Sequence, residues 1–364
     1  SDRRIALVDL DAFYAAVEVL EHPALAGKPL LIGGRPESRG VVAAASYEAR
    51  KYGCHSAMPM SKAIRVCPDA IIMKPRFPLY RDYSNQVMKI LQRESDLVQQ
   101  VSIDEAYIDL THVAQTMTEA EGLAHRMQGR VRIEVGLPCS VGLARNRMVA
   151  KIACETGKPS GFVVIYPGTE PAFLNPLDVS SMPGIGPQST KRLKAHGYNT
   201  LGQIAAVRPQ VLIGILGSSG AALHQRAMGE DPSPVRVERQ PKSISSEETF
   251  PEDIDDRQVL IEQLQRVVSR VTDSLAKQGL VGRTVTLKLR TSDFTTLTRS
   301  VSRQNATAHS KAFYADVLWL LDKNWQPGRP VRLIGMEVSK LRPVQSPDQM
   351  HMDELTEQLE VYEC

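Results

Sequence analysis

One order of elements occurs twice in this chain, and it limits the fold more than any other feature. The apolar run Ile5-Ala6-Leu7-Val8 reads as a buried strand that ends at Asp9. After it the patterning predicts a helix over 80–94, strands over 98–104 and 106–110, and a helix over 118–132. Extended chain follows at 140–143 and 162–165, with a helix over 146–155 between. Residues 11–75, rich in Ala, Gly and Pro, read as short helices and loops. With that stretch set aside as an insertion, the order is β-α-β-β-α-β, the split-βαβ, ferredoxin-like arrangement. Residues 167–230 read as helical with Gly-Pro punctuation, and 231–241 as an extended linker. The order then returns: a strand over 242–250, a long helix with Leu260, Leu264, Val267, Val268, Val271 and Leu275 on one face, strands over 284–290 and 295–301, a helix over 311–322 and a strand over 331–340. The fold class is multidomain α+β.

Composition removes several classes of function. No apolar run approaches the roughly 20 residues that span a bilayer, and no basic-then-apolar segment opens the chain, so a cytoplasmic protein with no membrane partner is expected. The five cysteines include no C-x-x-C pair, which argues against a disulfide framework or a zinc knuckle. From Pro343 onward there is no Lys or Arg, and there are six acids. With these set aside, 44 basic groups face 35 acidic ones, a charge of +9 on residues 1–342. A basic body with an acidic tail fits nucleic-acid binding, although many unrelated proteins reach such a charge.

Three acids stand where chemistry can be built. Asp9 lies where a buried strand runs out, and Asp104 and Glu105 are adjacent. Neighbours on a regular strand point to opposite faces, so both can serve one site only if the chain turns there, as at a hairpin tip. Placed beside the end of the first strand, that tip gathers three carboxylates. Their mutual repulsion calls for divalent cations, and oxygen ligands suit Mg²⁺. Taken alone, the same acids could simply close a strand and tip a hairpin. Tyr47 and Arg50, three apart on an expected helix, share a face and could reach triphosphate oxygens; Lys158 sits in a Gly-Lys-Pro-Ser-Gly turn and could add a point charge.

The motifs Val8-Asp9-Leu10-Asp11-Ala12-Phe13-Tyr14-Ala15-Ala16-Val17-Glu18, Ala45-Ser46-Tyr47-Glu48-Ala49-Arg50-Lys51-Tyr52-Gly53 and Ser102-Ile103-Asp104-Glu105-Ala106-Tyr107 resemble the signatures of Y-family DNA polymerases, nearest to the DNA polymerase IV branch. Ser140-Val141-Gly142, Ala150-Lys151-Ile152-Ala153, Lys158-Pro159-Ser160-Gly161 and Pro183-Gly184-Ile185-Gly186 extend the similarity in family order over residues 5–341. The resemblance implies a right-hand polymerase: a palm of residues 1–10 and 76–166, fingers of 11–75, a helical thumb of 167–230, the linker, a C-terminal little finger of 242–342 and a flexible acidic tail of 343–364. It implies template-directed, low-fidelity translesion synthesis with two Mg²⁺ ions, for which Mn²⁺ can substitute. No second acidic cluster suggests a 3′-exonuclease, so proofreading is expected to be absent.

Carried over position by position, Asp9, Asp104 and Glu105 match the metal ligands and Leu10 the backbone carbonyl ligand; Asp11 is left out of that set as structural. Tyr47, Arg50 and Lys158 match the triphosphate contacts. Tyr14 matches the steric gate that refuses a 2′-hydroxyl. Where the family often has a further aromatic this chain has Ala12. Val41, Val42, Ala43, Ala44, Ala57 and Met58 match the roof over the nascent base pair, and a roof so sparse in contacts discriminates weakly.

Pro183-Gly184-Ile185-Gly186 with Lys191, Arg192 and Lys194 resembles a helix-hairpin-helix that grips a DNA phosphate at a helix start. In the 284–290 strand, Thr284, Thr286, Lys288 and Arg290 alternate outward, and Thr296, Thr298 and Arg299 on the next strand are expected beside them. Primer–template DNA and a dNTP are the implied partners of a monomer. Gln349-Met350-His351-Met352 or Gln358-Leu359 could be a sliding-clamp peptide, and the alternative is a plain solvated tail. Two other readings, a non-catalytic DNA-binding relative and a ferredoxin-like nucleotidyl cyclase, lack support: the three carboxylates are present, and a cyclase needs no helix-hairpin-helix.

Overall fold

The computed structural model describes residues 3–237 and 240–344, in two compact units that divide between Glu238 and Arg239. The tail residues Gln349–Met352 and Gln358–Leu359 lie outside the described residues.

The first unit opens on β1 (Ile5–Leu10) and α1 (Phe13–Glu21). Strands β2 (Leu30–Gly33) and β3 (Val42–Ala45), short helices α2 (Tyr47–Arg50) and α3 (Met60–Val66), and strand β4 (Ile71–Met73) follow. The insertion is therefore more than helices and loops: its strands form a sheet in the order β3-β2-β4. On β2 the side chains alternate, Leu30 and Ile32 packing into the main core and Leu31 into a separate core with Val42, Ala49, Met58 and Met60. Strands of three and four residues in an Ala/Gly-rich stretch carry too few repeats for a period-2 signal, so the sequence reading missed them.

Helix α4 (Phe77–Gln92), strands β5 (Val98–Gln100) and β6 (Glu105–Asp109), helix α5 (Met117–Arg130), strand β7 (Cys139–Ala144), helix α6 (Arg147–Gly157) and strand β8 (Phe162–Val164) complete the α/β part. The sheet order is β5-β6-β1-β7-β8, the ferredoxin-like order with β8 added along β7. Both faces of β1 are buried, which is why its sequence is apolar apart from Asp9 near its end. Ala6, Val8 and Leu10 pack with residues of α4 and α5, while Ile5 and Leu7 pack with α6. Helix α6 lies close on β7: a Cβ at Gly142 would stand 2.0 Å from the Ala150 carbonyl oxygen, so only glycine fits.

Five helices follow: α7 (Glu170–Leu174), α8 (Pro187–Ala195), α9 (Leu201–Ala206), α10 (Pro209–Leu216) and α11 (Ser219–Ala227). Their core continues the one under α6. The start of the expected linker is strapped to this unit. Arg3 donates to the carbonyls of Asp231 and Ser233, Arg147 to that of Pro234, and the Arg236 amide to Gln99.

Helix α6 is fixed at its start by Asn146, whose side-chain oxygen accepts from the Val149 amide (3.0 Å) while its amide nitrogen donates to the Gly229 carbonyl (2.8 Å), both buried. Asn146→Ala removes the cap and strands a buried carbonyl. We expect a loss of about 2–3 kcal/mol, read as an earlier urea transition of the full chain; a midpoint within error of wild type would show the cap to be dispensable.

The second unit runs β9 (Ser243–Ile254), α12 (Arg257–Lys277), β10 (Leu280–Thr291), β11 (Thr296–Thr307), α13 (Ser310–Asn324) and β12 (Val331–Ser339). The element order is the one read from sequence, but the strands thread differently from the first unit: the sheet order is β11-β10-β12-β9, all antiparallel. Val285, Leu287 and Leu289 are buried against α12 and α13.

Candidate active site and DNA-facing sheet

Two neighbouring strand ends, at one end of the central sheet, make the candidate site. In β1 and β6, Asp9 is directly opposite Glu105, and the Leu10 amide donates to the Asp104 carbonyl (2.9 Å). The hairpin turn is residues 101–104 rather than Asp104-Glu105, because Glu105 is already the first residue of β6 and its carbonyl accepts from the Val101 and Ser102 amides. Residues opposed on antiparallel strands share a face, so Asp9 and Glu105 point together toward the α6 side, and Asp104 sits at the turn beside them.

Each carboxylate already has a partner. The Lys158 ammonium lies 2.9 Å from Asp9 and 2.8 Å from Glu155, Lys151 lies 2.6 Å from Glu105, and the Ser102 hydroxyl donates to Asp104. As they stand, no three acidic, His or Cys side chains among the described residues form a ready cage for an ion. Burial pushes the Asp9 carboxyl up to about 6; Lys158 pulls it down and Asp104 adds to the rise. Burial opposes the Lys158 charge, yet its bonds to Glu155 and Asp9 carry it above the ordinary lysine value. The donor set nevertheless fits a divalent cation in chemistry: the acids offer hard oxygens only, and the ammonium groups show that they gather positive charge.

A cleft of about 360 Å³ opens beside them, lined in part by Asp9, Leu10, Asp104, Tyr14, Tyr47, Arg50, Lys158, Ala43 and Ser56. Glu105 does not line it. The reach of α2 into this cleft is set by Ser46, which caps the helix by accepting from Ala49 and holds β2 by accepting from Leu30. Arg50 sits over the Tyr47 ring at 4.8 Å and donates to the Ala45 carbonyl. The Tyr47 hydroxyl donates to Asp11 (3.0 Å), and burial, with Asp11 second, raises its pKa. Asp11 also accepts from Ser140 and from the Ser160 amide, which ties the end of β1 to the turn that carries Lys158. Those bonds fill its oxygens, in keeping with a structural role.

Of the roof residues, Ala43 and Ala44 line the cleft, Val42 and Met58 are core, and Val41 and Ala57 are exposed outside it. Sequence reasoning missed Ser56, whose hydroxyl donates to the Ala43 carbonyl at the cleft wall, and Lys151 as the partner of Glu105. Lys151 stood in a quoted motif, but only the packing of α6 over β6 reveals its partner.

Gly184 has φ +86°, a left-handed conformation suited to glycine, and Gly186 is the N-cap of α8. Lys191 is exposed, whereas Lys194 is paired with Asp178. On the second unit's sheet, Thr284, Thr286, Lys288 and Arg290 lie opposite Ser302, Ser300, Thr298 and Thr296 on an exposed face. Hydroxyl pairs Thr284/Ser302 and Thr286/Ser300 (2.8 Å each) run along it, Arg290 donates to Thr296, and Lys288 bonds Glu247. Arg299 corrects the expectation: it lies opposite Leu287, so it belongs to the other face of the sheet.

No helix among the described residues is long and apolar enough to cross a membrane. A family model described as impB/mucB/samB matches residues 8–155, the C-terminal domain of that family matches 241–352, and the IMS family HHH motif matches 167–198. DNA polymerase IV of Alkalilimnicola ehrlichii is 39% identical over 349 residues, 96% of this chain and 98% of the relative. DNA polymerase IV of Halorhodospira halophila is 40% identical over 94% of this chain and 96% of its own length. Among solved structures, a Y-family polymerase chimera, Dbh-Dpo4(243-245)-Dbh, aligns with a TM-score of 0.85 at 28% identity, over 94% of this chain and all of the chimera. The chain belongs to the Y-family DNA polymerases, on the DNA polymerase IV branch.

Proposed function

We propose that the cleft at the end of β1 is where this chain joins a dNTP to a primer 3′-hydroxyl opposite a template base. The family's reaction is template-directed, low-fidelity translesion synthesis without proofreading. The observation that carries the site is the convergence of Asp9, Asp104, Tyr14, Tyr47, Arg50 and Lys158, from four distant stretches of sequence, on one cleft.

The family implies dependence on divalent metal ions. Asp9, Asp104, Glu105 and the Leu10 carbonyl are the groups that would hold two Mg²⁺ ions, or Mn²⁺ in their place. Bound there, the ions would supply acidity for the attacking hydroxyl and positive charge for the departing pyrophosphate. The chain's own groups do the rest. Arg50 and Lys158 bind triphosphate oxygens, Arg50 through its fork and Lys158 as a point charge, after Lys158 exchanges its carboxylate partners for phosphate. Tyr47 positions them by joining α2 to Asp11. Holding the α-phosphate in line with the primer hydroxyl is most of what phosphoryl transfer requires. Tyr14 closes the space where a 2′-hydroxyl would stand, and the small Ala43 and Ala44 make few contacts with the nascent pair, which permits damaged bases.

In this reading residues 1–10 and 76–166 act as palm, 11–75 as fingers, 167–230 as thumb and 242–342 as little finger. The protein works as a cytoplasmic monomer on primer–template DNA, and its 343–364 tail is the segment to test for clamp binding. Gly184, Gly186 and Lys191 hold a backbone phosphate, and Thr286, Lys288 and Arg290 a second stretch of backbone. Primer extension with Mg²⁺ on an undamaged template tests the whole reading: added nucleotides support it, and a folded protein that adds none sinks it. Replacing Lys288 and Arg290 together with Ala should weaken DNA binding alike on all sequences and lower the slope of log K against log salt by about 2. An unchanged slope in a fluorescence-anisotropy salt series would remove this sheet from the DNA contact.

A further inference from the structure

Glu18 is fully buried in the core beneath the candidate sugar gate, where an acid needs a reason. Tyr14 and Glu18 are four apart on α1 and form one row on its face, while Arg76, the residue that precedes α4, and Tyr80 in the first turn of that helix form another. The two rows meet. The Tyr14 and Tyr80 rings stack at 4.3 Å with an interplanar angle of 14°. The Tyr80 hydroxyl donates to Glu18 Oε1 (2.5 Å), Arg76 Nε donates to the same oxygen (3.0 Å), and Arg76 Nη2 pairs with Glu18 Oε2. Phe77, next to Arg76, stands edge-on to both rings at 6.0 and 6.3 Å.

A ring excludes a 2′-hydroxyl only if it cannot back away. Behind Tyr14 the space is filled by Tyr80, and Tyr80 is held by a carboxylate that is itself gripped by an arginine fork. The Glu18 carboxylate is fully buried while the Arg76 side chain keeps 39% exposure, so Glu18 has no water to replace a lost donor and holds Tyr80 and Arg76 in place. We propose that Glu18 and Arg76 are positioning residues for sugar selection, locking Tyr80 as the backstop against which Tyr14 refuses ribonucleotides. The proposal rests on the reading of Tyr14 as the gate.

The test is single-nucleotide insertion by the full chain, comparing kcat/KM for a dNTP and the matching rNTP in wild type, Tyr14→Ala, Tyr80→Phe, Arg76→Gln and Arg76→Lys. Tyr80→Phe and Arg76→Gln should lower the dNTP-to-rNTP ratio by about tenfold, with rNTP insertion rising in absolute terms. Arg76→Lys, which keeps the charge, should recover part of the ratio. Adding Arg76→Gln to Tyr14→Ala should change the ratio no further, because the backstop has nothing left to support. A merely structural role would slow both insertions together and leave the ratio at its wild-type value; that result in Tyr80→Phe and Arg76→Gln, with Tyr14→Ala still accepting rNTPs, overturns the positioning role alone. A wild-type ratio in Tyr14→Ala overturns the gate itself. Should Arg76→Gln fail to fold, Tyr80→Phe, which loses a single oxygen atom, decides the matter.

Discussion

Asp104→Ala is expected to lower primer extension at least about 10³-fold, on the order of 4 kcal/mol of barrier, while DNA binding stays near wild type. The side chain of Asp104 holds little of the fold. It accepts from Ser102 within its own turn, and the bond that joins this turn to β1 runs through the Asp104 backbone carbonyl, which alanine keeps. The groups assigned to DNA lie at Gly184 and Gly186 and on the second unit's sheet, far away in sequence. What the substitution removes is one of three negative charges at the strand ends. Two carboxylates then face a triphosphate with less capacity to gather the cations that neutralise it. The loss also relieves Asp9, whose carboxyl is raised first by burial and in smaller part by Asp104. Extension within tenfold of wild type, with an unchanged circular dichroism spectrum and DNA affinity, would refute the assignment of Asp104.

The sequence and the structure agree where a local pattern decides the outcome. Asp9 at the end of an apolar run, the apolar stripe of α12 and the pair Tyr47/Arg50 on one short helix all follow from spacing. They part where the outcome depends on register or on a distant partner. Arg299 shows the first case. A hairpin's register is set by its turn, and a shift of one residue moves every side chain to the other face. With β10 ending at Thr291 and β11 starting at Thr296, Thr298 falls opposite Lys288 and Arg299 opposite Leu287. Glu105 shows the second, since its tie to Lys151 depends on how α6 crosses the sheet. The threading of the second unit is a third: element order leaves open whether β12 enters beside β9 or at an edge. Glu18 stood in a quoted motif but gave no sign of its burial, because a glutamate in a mostly apolar helix reads as its exposed side.

Tyr14→Ala is the second large effect. It is expected to raise ribonucleotide insertion about 100-fold relative to deoxynucleotide insertion, close to 2.7 kcal/mol. That figure lies at the upper end of the roughly 1–3 kcal/mol that forcing extra atoms into a packed space typically costs. The upper end suits this site, because a half-buried ring stacked on Tyr80 and flanked by Phe13 and Phe77 has little room to move. Burial, and then the Asp104 charge, keeps the Tyr14 phenol above its ordinary pKa, so the ring is neutral at working pH and excludes by shape rather than by charge. Tyr14→Phe separates shape from hydrogen bonding: it keeps the ring, loses the hydroxyl, and should retain most of the discrimination. If phenylalanine admits ribonucleotides as freely as alanine, the hydroxyl and not the ring is the selective element. If neither variant changes the ratio of rNTP to dNTP kcat/KM, sugar selection lies elsewhere on the cleft wall, and the aromatic cluster between α1 and α4 serves packing alone.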